Sequence, residues 1–256
     1  MSRSLLMALL LSLLAAPVTP QPVLGQSATA RYLQVVTLRT NMGDGPAWEA
    51  FQRQVADARR RLGVDRSVLI YQVRMGGTLG EYRAVIAFSD LAELESFRGP
   101  GTVMAEVHGQ EEAARMNPNA LASVEIAVHE LQPDVSSGEA QAGSSTRYIQ
   151  VVETEIDPAR EADYRAFLRS LAAAEDAQGE RAIRRVATLG PAFTFYAVTG
   201  YSSLGELRSG PGPVARLAEE HGQEVADEIW ARGNAAVRSR RIFVMELRED
   251  LSYLVN

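Results

Sequence analysis

Arg31-Tyr32-Leu33-Gln34-Val35-Val36 recurs as Arg147-Tyr148-Ile149-Gln150-Val151-Val152, a displacement of 116 positions, and the correspondence continues in order along the chain. Trp48-Glu49-Ala50-Phe51 meets Tyr164-Arg165-Ala166-Phe167 at the same displacement. After a three-residue deletion, Leu91-Ala92-Glu93-Leu94 meets Leu204-Gly205-Glu206-Leu207 and His108-Gly109-Gln110-Glu111 meets His221-Gly222-Gln223-Glu224. Glu130-Leu131 and Glu246-Leu247 restore the first displacement. Such a chain folds as two copies of one unit, so each copy must leave a surface that the other can complete. The copies read as modules over 31–131 and 147–249. Residues 132–146, rich in Ser, Gly, Ala and Gln, read as a flexible linker.

Within each copy the hydrophobic period changes in a fixed order. Tyr32 to Arg39 is β-branched and apolar, as a strand requires. Pro46 suits a helix start, and Trp48, Phe51, Val55 and Ala58 then follow at spacings of three or four. Strands are expected at Val68 to Met75 and Tyr82 to Phe88, then a short helical piece near Leu91 to Phe97, a helix over Val103 to Met116 and a strand over Val124 to Leu131. This βαββαβ order predicts an α+β fold, a ferredoxin-like module with a four-stranded antiparallel sheet and both helices on one face. Two such modules bury their open sheet faces by pairing as a pseudo-twofold α+β barrel. Here the chain resembles the dimeric α+β barrel superfamily, which includes antibiotic-biosynthesis monooxygenase-like, NIPSNAP-like and stress-responsive barrel proteins. The resemblance rests on element order and duplication, so it speaks to fold before function.

Composition narrows the chemistry. All 26 basic residues are Arg, and the chain contains neither Lys nor Cys. A Schiff-base or phosphate-loop lysine, a thiolate nucleophile and a Cys-ligated metal or cluster are therefore excluded. No Gly-x-Ser-x-Gly elbow and no dinucleotide glycine fingerprint is present. The first 25 residues carry Arg3, the apolar run Leu5 to Ala16 and then Pro17, Pro20 and Pro22, the layout of a secretory signal peptide. Cleavage is expected near Gln26 or after Ala28 or Ala30, with release to the periplasm or the exterior. An apolar run this short falls below the roughly 20 residues needed to span a bilayer, so no stable membrane span is expected once it is removed. Loss of Arg3 moves the formal charge of −6 by one more negative unit, which disfavours nucleic acid as a partner.

Two groups of side chains are candidates for function. Strand alternation sorts Leu33 and Val35 to the helix side and Tyr32, Gln34 and Val36 to the other face, and the second copy repeats this with Tyr148, Gln150 and Val152 opposite Ile149 and Val151. On a face buried between the sheets, Tyr32, Gln34, Tyr148 and Gln150, with His129 on the last strand, are expected to line a ligand pocket or to form satisfied pairs that fix the association. The second group is the repeated His-Gly-Gln-Glu, expected inside a helix. There His108 and Glu111, and His221 and Glu224, share a face as catalytic candidates for acid–base work or as structural braces. No metal site is expected. The resemblance implies that some relatives hold haem through a helix histidine and that others oxidise their substrates without a cofactor. Three functions stay open: an exported barrel that binds a small apolar or aromatic molecule with oxygenase-like chemistry, a non-catalytic structural or interaction module with a filled barrel, or, on the resemblance alone, a haem-binding protein. Each admits a homo-oligomer.

Overall fold

The computed structural model describes residues 30–137, 146–180, 182–208 and 211–255; the leader and residues 138–145 of the linker lie outside them. The first copy runs β1 (Tyr32–Thr40), α1 (Gly45–Arg61), β2 (Leu69–Met75), β3 (Glu81–Phe88), α2 (Pro100–His108), α3 (Gln110–Met116) and β4 (Leu121–Leu131). The second runs β5 (Tyr148–Ile156), α4 (Glu161–Ala177), β6 (Ile183–Leu189), β7 (Thr194–Tyr201), α5 (Pro213–His221), α6 (Gln223–Asn234) and β8 (Val237–Leu247). The strands close into one antiparallel barrel in the order β1-β3-β2-β8-β5-β7-β6-β4. Each module contributes four adjacent strands, and the seams between modules are β2–β8 and β4–β6. Closure leaves neither sheet an open edge.

The expected stripe of α1 is buried at Trp48, Val55 and Ala58, and its last turn carries Arg59, Arg60 and Arg61, which complement the helix dipole. Trp48 packs on Tyr82 with ring centroids 4.2 Å apart, in a cluster with Tyr32, Ile70, Ile86, Phe88 and the flanking Val36 and Leu38. Tyr164, Phe167, Leu168 and Leu171 of α4 pack on Phe195 and Ile156 in the equivalent layer. The two faces of β1 are thus the reverse of the sequence expectation. Tyr32, Gln34 and Val36 lie on the helix side, while Leu33 and Val35 point into the barrel with Ile149 and Val151. The physical reason is packing from other elements: Trp48 and Tyr82 take Tyr32 and Val36 into the outer cluster, where Tyr148 Oη also lies 3.4 Å from Glu246 Oε1 in the second copy.

The His-Gly-Gln-Glu segment is not one helix. α2 ends at His108 and α3 starts at Gln110, with Gly109 between them at φ 82°, ψ 156°; Gly222 separates α5 from α6 at φ 82°, ψ 157°. L-residues with a Cβ avoid that conformation, so the glycine is kept in both copies to stop and restart the chain. Gly109→Ala or Gly222→Ala is expected to lower stability by about 1–3 kcal/mol, read as a lower urea midpoint with unchanged m-value. Open space surrounds both Cβ positions, so the cost is backbone strain and not a clash.

The segment expected as linker begins as structure. Pro133–Val135 forms a 3-10 turn, Val135 is fully buried in the second module, and Ser137 bridges to Ala182. The chain terminus mirrors this on the first module, where Leu251 is fully buried and Tyr253 bridges to Val68. Ser136 Oγ accepts from Arg184 N at 2.9 Å and Ser252 Oγ accepts from Ile70 N at 2.9 Å. Each copy thus ends in a clasp on its partner, and the repeat runs through Asp134-Val135-Ser136 and Asp250-Leu251-Ser252.

Candidate functional site

Cross-strand register identifies the residues that point into the barrel. Leu33 lies opposite His129 and Ala87, Thr37 opposite Arg83 and Glu125, and Arg39 opposite Glu81. Tyr71 lies opposite Arg83, Arg185 opposite Tyr196, and Glu153 opposite Tyr196 and Arg241. Much of the interior is apolar: Val35, Leu69, Tyr71, Val85, Ile149, Val151, Tyr196, Phe243, Met245 and Leu247 form one buried cluster. Through it runs a ladder of alternating charge. Arg39 contacts Glu125 at 2.7 Å and Glu81 at 3.5 Å, Arg83 contacts Glu81 at 3.1 Å and Glu153 at 4.0 Å, and Glu153 contacts Arg241 at 3.0 Å. The Arg83 guanidinium also lies 4.1 Å from the Phe243 ring centroid. Burial pushes the Glu81 carboxyl up, but Arg83, the Thr78 N–H and Arg39 outweigh it and hold the carboxyl below its usual range.

The pseudo-twofold makes Tyr71, Arg83, Thr37 and Met245 the counterparts of Arg185, Tyr196, Glu153 and His129. Only the second set contains an imidazole. His129 is 5 % exposed and stacks on Tyr196 with centroids 3.9 Å apart and planes 16° from parallel. Neither of its ring nitrogens is hydrogen-bonded among the described residues. Burial first, then the positive charges of Arg185 and Arg83, push its pKa down to about 3, so the ring is neutral. Burial, with Glu153 adding to it, raises the Tyr196 phenol; burial alone raises that of Tyr71, whose hydroxyl has no hydrogen-bond partner. Arg185 is lowered to about 10 by burial and donates to Ala30 O at 2.9 Å.

The other sequence candidates lie elsewhere. His108 is half-buried at the end of α2, and Glu111 is exposed, 3.6 Å from Arg115. His221 and Glu224 are exposed at the α5–α6 break. Tyr32, Gln34, Tyr148 and Gln150 belong to the outer layers; Gln150 Oε1 accepts from Tyr201 Oη at 3.4 Å, and Gln34 Oε1 is buried without a partner. Of all the candidates only His129 enters the barrel. The other interior residues, Tyr71, Arg83, Glu153, Arg185 and Tyr196, were not picked out by the sequence. Their one local signal is a charged or phenolic residue at alternate positions of otherwise apolar strands, as in Glu81-Tyr82-Arg83.

A separate groove of about 590 Å³ opens at the β2–β8 seam, lined by Arg74, Arg147, Glu246, Arg248, Glu249 and Asp250 together with Thr146, Ser202 and Leu247. Asp250 is held at about 2, chiefly by hydrogen bonding to Arg248 against the opposing effect of burial.

At His129 and in the groove the described residues offer no histidine-ligated haem site, which needs an axial histidine beside a porphyrin-sized slot. The groove contains no histidine, the His129 ring is covered by Tyr196, and the sheet–helix layers are filled by Trp48 with Tyr82 and by Phe167 with Trp230. No group of three metal-ligating side chains occurs among the described residues, and none of their helices is long and apolar enough to cross a membrane.

No protein-family model matches the sequence, and no curated protein matches it. Solved structures do match the fold. A candidate monooxygenase from Lactobacillus acidophilus NCFM superposes with a TM-score of 0.52 at 9 % identity, over 88 % of this chain and 96 % of that one. An anthrone oxidase-like protein gives 0.50 at 11 % identity, covering 87 % and 93 %. A mutant chlorite dismutase from Candidatus Nitrospira defluvii, in complex with cyanide, gives 0.50 at 10 % identity, covering 87 % and 93 %. At identities this low the superpositions show the fold alone: the chain has the dimeric α+β barrel fold, with both ferredoxin-like halves in one polypeptide.

Proposed function

We propose that the protein is an exported α+β barrel that binds a small, weakly acidic aromatic molecule, such as a phenol or enol, in the lumen beside His129 and Tyr196, with oxygenase-like chemistry. The observation that carries the reading is unspent polar capacity in the barrel interior: the Tyr71 hydroxyl is buried without a hydrogen-bond partner among the described residues. Buried polar groups left unpaired cost free energy that a ligand recovers. His129 and Tyr196 already stack on each other, and a ligand ring would extend that stack.

The electrostatics support a role for each group. An imidazolium beside Arg185 and Arg83 is disfavoured, so His129 serves as a neutral hydrogen-bonding group and not as a strong base. The same two guanidiniums favour the ligand as its anion, the electron-rich form that reacts more readily with dioxygen. The names of the monooxygenase and anthrone oxidase-like neighbours support this class of chemistry, and the layout of residues 1–25 supports export.

The test is to titrate the full chain with a panel of phenols and anthrone-like enols, following the ultraviolet band of the ligand and dioxygen uptake. A red-shifted, anionic spectrum on binding is expected, weakened at least about tenfold by Arg83→Met. Absence of binding across the panel overturns the reading. The self-contained charge ladder and the packed interior favour one alternative, a structural module with a filled barrel. In that case His129→Phe changes stability and no binding.

A further inference from the structure

The pseudo-twofold provides an internal control for the groove at the β2–β8 seam. Arg147 with Glu246 at this seam and Arg31 with Glu130 at the other are equivalent pairs, with contacts of 2.7 and 3.2 Å, and both tie the residue before a module's first strand to that module's last strand. An ion pair kept at both seams belongs to the framework of the barrel. Of the remaining charges Asp250 repeats as Asp134, but Arg74, Arg248 and Glu249 have no charged counterpart. Arg74 corresponds to Thr188, which donates to Val128 O at 3.1 Å within the sheet, and Glu249 corresponds to Pro133. Closing the barrel therefore requires neither Arg74 nor Glu249.

The pairing at the groove leaves capacity of both signs. Glu246, 8 % exposed, accepts from Arg147 Nε and Nη2 on Oε1 at 2.9 and 2.7 Å and from Arg74 Nε on Oε2 at 2.7 Å. One carboxylate thus serves two guanidiniums, and Nη1 of each arginine makes no hydrogen bond among the described residues. Both side chains reach water, at 42 % exposure for Arg74 and 64 % for Arg147. Glu249 lines the same groove and is exposed; its charge favours the Arg147 guanidinium, but its carboxylate makes no hydrogen bond or ion pair among the described residues. Arg248 and Asp250 are already committed to each other, to Glu49 and to Arg53.

We infer that this groove is a binding site for a zwitterionic molecule of short-peptide size, its carboxylate held by Arg74 and Arg147 and its ammonium by Glu249. An anion alone would meet Glu249 and Asp250, and a cation alone would meet three arginines; a molecule carrying both charges meets each with its opposite. The volume of about 590 Å³ suits a ligand larger than a single amino acid. The site is independent of the lumen, so neither proposal depends on the other.

The experiment titrates the full chain by calorimetry with trialanine, N-acetyl-trialanine and trialanine amide. The free peptide is expected to bind and each blocked form to bind at least about tenfold more weakly. Arg74→Gln and Glu249→Gln should each weaken the free peptide by a similar factor, while Arg31→Gln at the opposite seam leaves it unchanged. Melting temperatures of all three variants are read alongside. If Arg74→Gln destabilises the seam, the comparison of blocked and free peptides on the unaltered protein decides alone. Equal affinity for all three peptides, no heat up to about 10 mM ligand, or an equal loss with Arg31→Gln overturns the inference.

Discussion

Replacing Glu175 with Leu is expected to lower the free energy of unfolding by about 3–5 kcal/mol. Glu175 and Arg184 are 4 % and 2 % exposed, and Arg184 Nη2 lies 2.8 and 2.9 Å from the two carboxylate oxygens. The guanidinium also donates to Val135 O at 2.8 Å, and the carboxylate accepts from Ser137 Oγ at 2.6 Å, so the pair anchors the clasp that joins the modules. Removing the carboxylate leaves a buried cation with one carbonyl for company. The first module shows that the fold does not require the pair, because its counterpart of Arg184 is Ile70, buried in an apolar cluster. Glu175→Leu combined with Arg184→Ile should therefore recover most of the loss, since well-packed apolar groups replace buried ion pairs at little net cost. Urea titrations of the single and double variants measure this. Equal destabilisation by both would show that the clasp, and not the stranded charge, carries the energy.

The duplication, the βαββαβ order and the barrel were legible because each is written in local periodicity and in a near-constant displacement. The orientation of β1 was not. Both of its faces hold apolar side chains, Leu33 and Val35 against Tyr32 and Val36, and the choice is made by Trp48 and Tyr82 from other elements. The helix break was hidden because apolar spacing continues across Gly109 from Val103 to Met116; its presence in both copies was the signal. The clasp at Val135 was masked by its low-complexity neighbours 138–145, although Leu251 matches it at the displacement of 116. Least legible was the lumen constellation. Arg83, Glu153, Arg185 and Tyr196 come from four strands, and only barrel closure brings them to His129.

That closure sets the pH response. Burial and the nearby guanidiniums push the His129 pKa in the folded protein down from its ordinary 6.5 to about 3. A depressed folded value means that, below about pH 6.5, the unfolded chain takes up a proton that the folded chain refuses. The stability from keeping the ring neutral is then complete above that pH and is lost as the pH falls toward 3, with a slope approaching about 1.4 kcal/mol per pH unit. Glu49, Glu81, Glu246 and Asp250 are held low by their arginines and add losses of the same sign, but only near and below the ordinary carboxylate range. The interval from pH 6.5 to 5 therefore isolates the imidazole, and about 2 kcal/mol should disappear across it. His129→Phe keeps a ring against Tyr196 and removes the titrating group, so its stability should be flatter over that interval by close to one proton. Urea unfolding at half-unit pH steps reads the difference directly. An unchanged slope in the variant would mean that the lumen admits a proton to His129 in the folded state, which would restore that histidine as a base.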